Sequence, residues 1–178
     1  MIEVAMVVPL LATLVLGVAE LGFHVRDMQR ITAASQAGAR VVSSEGDARL
    51  ADFDALMTMA APLSDIAPAD IERIIVFLPE SDGGLPLGCD TSSILDKCNH
   101  YDGNSLALTT SSFTGTIDCG VFDPDRFWCP LDRETDQGAG TDWIGVRVEV
   151  RHDSVAPFLP DRTITDTTIM RIEPRFEP

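Results

Sequence analysis

The chain has 178 residues and a formal net charge of −15, from 28 acidic and 13 basic residues, and 45% of its residues are hydrophobic. This length suits one domain, or one domain with an appendage, and supplies enough apolar material for a core. An acidic surface repels phosphate backbones, so the composition argues against nucleic-acid binding.

The N-terminal 44 residues are predicted to form one long helix. Residues 4–19 (VAMVVPLLATLVLGVA) carry no charge and would extend about 24 Å as a helix, short of the roughly 30 Å of a bilayer's hydrocarbon core. From residue 21 to about residue 42, apolar and small side chains recur at three- and four-residue steps, which predicts an amphipathic continuation. If it is unbroken from residue 4 to residue 42, the helix would be about 58 Å long over these residues, so we expect much of it to project.

The apolar run contains residues that weaken an isolated helix. Pro9 removes one helix hydrogen bond, and Gly17 and Gly22 loosen the helix further. Neighbouring helices in a membrane or a bundle would support such a helix, whereas a simple kinked anchor is the alternative. Most of residues 33–39 have small side chains, so another helix or a sheet can approach this surface of the helix closely.

Glu3 and Glu20 lie at the two margins of the uncharged run. A carboxylate there is costly to bury unless it meets a donor, so in a staggered bundle it would set the register between neighbours. The alternative is that Glu3 is a solvated helix end and that Glu20 lies at the membrane interface.

Residues 45–178 are predicted to form a separate α+β head with a small, mostly antiparallel sheet. A second helix is expected over residues 47–61, with Asp47 as its N-cap and an end before Pro62. Strands are expected at 71–78, 143–151 and 163–172, with alternating apolar residues in the second. The expected buried stripe of the second helix comprises Leu50, Phe53, Leu56, Met57 and Ala60.

The loop-rich region 80–142 holds all four cysteines, Cys89, Cys98, Cys119 and Cys129. Their spacing does not match a metal site, and an even count beside a membrane-like helix indicates disulfides formed in an oxidising compartment. Of the three possible pairings we favour the local one, 89 with 98 and 119 with 129; reduced or cross-paired cysteines are the alternatives. Phe122, Phe127 and Trp128 are expected to pack over a disulfide rather than bind a sugar.

The sequence contains no recognisable catalytic motif, so we expect neither an enzyme nor a cofactor. The run His152, Asp153, Ser154 is read as a polar turn after a strand, because members of a catalytic triad meet through the fold. Bound Ca²⁺ in the acidic loops is a less favoured alternative, since the spacing differs from an EF-hand. The loop acids concerned are Asp90, Asp96, Asp102, Asp118, Asp123, Asp125, Asp132 and Asp136.

The segments EVAMVVPLLATLVLGVAELG and ITAASQAGARVV resemble the N-terminus of TadE-like pseudopilins of bacterial tight-adherence (Tad, type IVc) pilus systems. The family pattern is a Glu, an apolar run with a Pro, a Gly-x-x-Glu motif, and an alanine-rich end in Gly-Ala-Arg. Here these elements are Glu3, Pro9, Gly17 with Glu20, and residues 38–40. The C-terminal segments WIGVRVEVRH, APFLP and TIMRIEP also resemble that family, more weakly.

The resemblance implies a precursor held in the cytoplasmic membrane, cut by a prepilin peptidase, and packed through its N-terminal helix with other copies or related pilin subunits by the assembly machinery. We therefore expect a structural subunit of an extracellular filament that displays its head for adhesion or surface contact. The large head favours a minor subunit or a distinct filament. The alternative is a membrane-anchored extracytoplasmic ligand-binding module that does not polymerise. Because Glu3 follows no basic leader, either the numbering starts near the mature end or processing differs.

Overall fold

The computed structural model describes residues 2–113, 119–136, 141–154 and 160–174, with side chains from residue 7 onward. Its first element is helix α1 (Ile2–Glu45), whose 44 residues extend about 66 Å. The predicted long helix is thus confirmed. It ends where Gly46 adopts a left-handed φ of +56°, which glycine takes at little cost, and the Gly46 amide still donates to the Val42 carbonyl at 2.9 Å.

Helix α2 (Ala51–Leu63) starts four residues later than predicted and continues through Pro62. The predicted Asp47 cap is wrong: Leu50 holds the N-cap position, after a turn in which the Ala48 amide donates to the Glu45 carbonyl. Pro62 is tolerated because α2 ends one residue later, so few helical hydrogen bonds depend on its position.

The described residues contain four strands: β1 (Ile71–Phe77), β2 (Cys98–Tyr101), β3 (Trp143–His152) and β4 (Arg162–Arg171). They form one sheet in the order β2-β1-β3-β4, and all three neighbouring pairs are antiparallel. These results confirm the α+β class and the three predicted strands. The short strand β2 is not among the predicted strands, because its sequence CNHY has no alternating apolar pattern.

One face of the sheet packs against α2 and the C-terminal half of α1. The predicted apolar face of β3 is confirmed, since Ile144, Val146, Val148 and Val150 all lie in this core. The stripe expected on α2 is only partly correct, because the face that is buried is rotated from it. The residues of α2 that are buried are Ala51, Asp52, Ala55, Leu56, Met59 and Leu63.

The opposite face of the sheet is covered by the segment that follows β1, where Ile75 and Phe77 pack with the Cys89–Cys98 disulfide. The second disulfide joins Cys119 to Cys129, so both bonds have the local pairing that the sequence favoured. The described parts of region 80–142 are more ordered than expected. They contain β2 and three short 3₁₀ turns, Gly103–Ala107, Thr110–Ser112 and Pro130–Asp132.

The three aromatic residues near Cys129 do not form the shared cover over a disulfide that we expected. Trp128 is buried in the main core, where the Arg133 guanidinium lies 4.5 Å from its ring. Phe122 is 93% exposed. Phe127 is half-buried beneath the guanidinium of Arg126. The environments differ because Trp128 is held inward by its own backbone, whose amide donates to Asn99 Oδ1 at 2.9 Å.

Candidate functional site at the junction of helix and head

The N-terminal half of α1 presents large apolar side chains to the exterior. Leu10, Val15 and Val18 are each between 63% and 65% exposed, and exposure of apolar side chains continues to Met28. The helix segment Val7–Glu45 includes an 18-residue window with a mean hydropathy of 1.8 and none of that window buried. By length and composition this helix can cross a membrane. An apolar surface of this size on a folded chain marks a membrane or protein contact.

Pro9 and Gly17 both lie within this exposed half of α1. The helix continues through Pro9. At Gly17, no neighbouring atom of the described residues lies within 4 Å of the position that a Cβ would occupy. The small size of Gly17 therefore serves no packing within the described part of the monomer. The side chain of Glu3 lies outside the described residues, although its backbone belongs to α1.

The carboxylate of Glu20 meets the head at His152, the last residue of β3. The distance from His152 Nε2 to Glu20 Oε1 is 3.3 Å, and that from His152 Nδ1 to Asp27 Oδ2 is 2.7 Å. His152 thus joins two carboxylates of α1 to the end of β3. The reading of His152 as part of a polar turn was wrong, because the strand extends to this residue and its ring is buried against α1.

Further contacts fix α1 at the same level of the head. The ring of His24 packs edge-on against that of His152, with centroids 5.5 Å apart. Asp65, after α2, forms ion pairs with Arg30 and, at 3.3 Å, with Arg26. These two pairs are partly solvent-exposed, so each contributes little by itself. Together with the His24 contact, they tie residues 24–30 of α1, about two turns, to both the sheet and the end of α2.

Two clefts flank His152 where α1 leaves the head. One has a volume of about 230 Å³ and is lined by Phe23, Asp27 and Arg151 among others. The second, of about 200 Å³, is lined by Gly17, Glu20 and Arg162 among others. The junction is therefore a narrow, charged contact with open space on both sides, and not a continuous apolar interface.

The alanine-rich half of α1 forms the firm contact with the head. A Cβ on Gly38 would lie 2.6 Å from Met59 Sδ, so α1 and α2 approach each other closely at this glycine. Towards the sheet, the buried Ser35 hydroxyl bonds to Asp166 and, at 2.9 Å, to the Thr168 hydroxyl of β4. The expectation that a helix or a sheet approaches this surface of small side chains is confirmed, because α2 and β4 both pack on it.

A buried ionic network, which the sequence did not reveal, lies beneath α2. Asp52 accepts from Arg133 Nη2 at 2.6 Å, from the Tyr101 hydroxyl at 2.7 Å and from Asn99 Nδ2 at 3.0 Å. Burial, together with the nearby Asp52 charge, raises the pKa of Tyr101 well above its usual range. Such a network requires all its members, since loss of one leaves a buried charge unpaired.

A second group of charges lies beside this network. Arg49 pairs with Asp123 and, at 2.5 Å, with Asp125. Burial and then the charge of Asp52 raise the pKa of Asp125 to about 6, against the opposing effect of Arg49. These acids, expected to be solvated or Ca²⁺-binding, are used for internal ion pairs.

In the described parts of the chain, no group of three or more His, Cys, Asp or Glu side chains is arranged to hold a metal ion. Asp118, one of the acids considered for Ca²⁺, lies outside the described residues. Asp102 instead caps the Gly103–Ala107 turn, and hydrogen bonds from Ser105 and Asn104 outweigh its partial burial and lower its pKa.

Comparison with known proteins gives one result. The family described as "TadE: TadE-like protein" matches residues 1–40, which confirms the resemblance seen in the N-terminal segment. No curated protein and no solved structure matches the chain. The matched segment ends within the part of α1 that packs on the head. The similarity of the C-terminal strands to the family stays a prediction, and most of the APFLP segment lies outside the described residues.

Proposed function

Because residues 1–40 are TadE-like, we propose that this chain is a pilin-like structural subunit of a Tad-type bacterial surface filament. The observation that supports this proposal best is the division of α1 into two halves. The N-terminal half exposes apolar side chains to the exterior, and the C-terminal half is built into the core of the head. One helix thus joins an assembly surface to the domain that it displays.

Before assembly, the apolar half of α1 would hold the subunit in the cytoplasmic membrane. The head would lie on the outer side, where an oxidising environment maintains its two disulfides. Residues 45–178 hold 25 acidic and 10 basic residues, so the entire net charge of −15 belongs to the head. By family resemblance, a prepilin peptidase and the pilus assembly machinery would act on the N-terminal helix.

Assembly would transfer the apolar half of α1 from lipid to the helices of neighbouring subunits. Withdrawal of apolar area from water yields about 25 cal/mol per Å². Transfer from lipid yields less, because lipid is already apolar, so close packing and polar pairing must contribute. The open surface at Gly17 allows a neighbouring helix to approach, and Glu3 would select the register by meeting a donor on the next subunit.

Substitution of Glu3 tests the role of the N-terminal end. In Glu3→Ala we expect a folded head, shown by an unchanged unfolding temperature and both disulfides. We also expect much less protein in the filament fraction sheared from cells. Glu72→Ala, at an exposed position in the head, is the matched control and should assemble as the wild type does. Wild-type amounts of normal filaments from Glu3→Ala would remove the register role.

The rival function is a membrane-anchored module whose head binds a ligand and whose helix is a tether. That function needs the apolar half of α1 only for insertion into lipid. A scrambled apolar sequence of the same hydropathy over residues 7–19 separates the two. If the helix is only a tether, the scrambled chain should stay in the membrane and its head should bind its ligand normally. If the chain is a filament subunit, the scrambled chain should stay in the membrane but should not assemble.

A further inference from the structure

A small apolar projection lies on the loop that the Cys119–Cys129 disulfide closes. Val121 is 80% exposed and Phe122 is 93% exposed, side by side in the sequence. We call these two residues the tip. Exposed aromatic side chains on a soluble surface are frequent anchors of protein interfaces. The tip therefore presents a surface that the monomer leaves uncovered.

The tip loop is held in place by several contacts besides its disulfide. The Asp123 amide donates to the Gly120 carbonyl at 2.8 Å, and the Gly120 amide donates back to Asp123 Oδ2 at 3.0 Å. Arg49 anchors the same loop through its ion pairs with Asp123 and Asp125. A loop ordered in advance loses less conformational freedom on binding, so even a small contact surface is effective.

A matching cavity lies elsewhere on the head. Its volume is about 420 Å³, within the range of about 300–1,000 Å³ typical of ligand pockets, and its apolar lining includes Pro79, Trp143 and Ile169. Trp143 is 54% exposed, so its ring is available for contact. We call this the Trp143 cavity.

The tip and the Trp143 cavity are formed by different segments of the head. The tip loop is bonded to β2 through the Trp128 amide and Asn99, whereas the cavity is lined by residues 79–83 after β1, by the start of β3 and by one residue of β4. The high exposure of the tip shows that it does not occupy the cavity of its own chain.

The charges around the two features are complementary. Asp123 and Asp125 in the tip loop are buried and paired with Arg49. The exposed charge of that loop is Arg126, whose guanidinium lies 4.4 Å from the Phe127 ring. The rim of the Trp143 cavity instead carries two exposed acids, Glu80 and Asp82. A cation beside the tip and anions beside the cavity favour one relative orientation of two heads.

We propose that the tip of one subunit inserts into the Trp143 cavity of the next subunit, with Arg126 facing Glu80 and Asp82. This inference rests on the proposed filament function and specifies how successive heads contact each other. The contact joins two different surfaces of the same chain, and such heterologous contacts propagate into open helical assemblies. Two side chains bury far less than the roughly 1,600 Å² of a stable interface. The contact thus sets the orientation of heads that the helices hold together.

Site-specific photocrosslinking in cells tests the contact. With p-benzoylphenylalanine in place of Phe122 in the full chain, irradiation of sheared filaments should give covalent dimers, with crosslinked peptides from residues 79–83, 143 or 169. The same probe at Leu87, which is 94% exposed and lies two residues before Cys89, is the control and should give at least tenfold fewer such dimers. Crosslinks from position 122 to other regions, or equal yields from both positions, would overturn the inference.

A charge exchange tests the proposed pairing of Arg126 with the acids at the rim of the cavity. Arg126→Glu and Glu80→Arg should each lower the yield of the Phe122-position crosslink about tenfold, and the double variant should restore it. A double variant no better than the single variants would contradict the pairing. If the wild-type chain forms filaments without these crosslinks, only the head contact is wrong. If the wild-type chain is absent from filaments, the proposed function fails as well.

Discussion

Glu20 of the N-terminal helix and His152 at the end of β3 are 132 residues apart in the sequence, yet their side chains lie 3.3 Å apart. Asp27 contacts the other ring nitrogen of the same histidine at 2.7 Å. Glu20 is also the acid of the Gly-x-x-Glu motif within the TadE-like segment. In the monomer this acid orients the helix relative to the head. The register role considered for it between neighbouring subunits is not required to explain its position.

Removal of the imidazole should loosen this junction. Hydrogen bonds with charged groups contribute about 1.5–3 kcal/mol, so His152→Ala should lower stability by about that amount. The same substitution should broaden the distribution of distances between spin labels at positions 14 and 90, measured in detergent by pulsed electron paramagnetic resonance. His100→Ala removes a histidine bonded within the head, to the Cys89 carbonyl, and should leave that distribution narrow. Equal broadening in both variants would show that His152 does not orient the helix.

Gly17 and Gly38 of α1 should respond oppositely to the same substitution. Gly38→Ala places a Cβ 2.6 Å from Met59 Sδ in a buried contact, so we expect an overpacking cost of about 1–3 kcal/mol, reduced by the roughly 1 kcal/mol that alanine gains over glycine in helix propensity. Gly17→Ala meets open space and should stabilise the monomer helix by up to about 1 kcal/mol, while reducing filament yield. Thermal unfolding and the sheared filament fraction measure the two effects. The close contact between the two helices would be refuted if Gly38→Ala left the unfolding temperature unchanged and the addition of Met59→Ala did not change it either.

The buried pair of Arg133 and Asp52 should be necessary for a stable head. Arg133→Ala leaves the fully buried Asp52 carboxylate without its counter-charge, which should cost about 3–5 kcal/mol. Arg151→Ala removes two ion pairs that are substantially exposed and should cost far less. Denaturant unfolding of both variants gives the comparison. Similar losses of unfolding free energy in the two variants would mean that the buried pair is no more important for stability than the exposed pairs.

The raised pKa of Asp125 should be visible in the pH dependence of the stability of the head. Burial and the Asp52 charge raise its pKa from 3.8 to about 6 in the folded head, so the folded state binds more protons than the unfolded state between those values. Stability should therefore fall as pH rises from about 4 to about 6, by at most about 3 kcal/mol from this group. Asp125→Asn should match the wild type near pH 4 and exceed it above pH 6. A variant less stable than the wild type above pH 6 would show that the pair with Arg49 prevails.

Local patterns predicted the elements of the chain well. Three- and four-residue periodicity gave α1, and alternation gave the buried face of β3, because both periods are properties of single segments. The close spacing of the cysteines favoured the pairing that the structure has. The small residues near Gly38 indicated a close approach without specifying the partner.

Long-range polar partners set the features that could not be predicted. Asp52 turns towards the core of the head because Arg133 and Tyr101 meet it there, and this rotates α2 away from the expected apolar stripe. Strand β2 forms by pairing with β1, although its own residues are polar. His152 likewise acquires its role only where the fold brings α1 beside the end of β3. A single sequence does not encode these pairings as a local pattern.

Immunogold electron microscopy of the surface fraction sheared from wild-type cells tests the central claim most directly. An antibody against the head should label filaments, either along their length or at their ends. The same antibody should also detect the precursor in the cytoplasmic membrane. Label confined to membrane vesicles, with none on filaments, would contradict the assignment of this chain as a filament subunit.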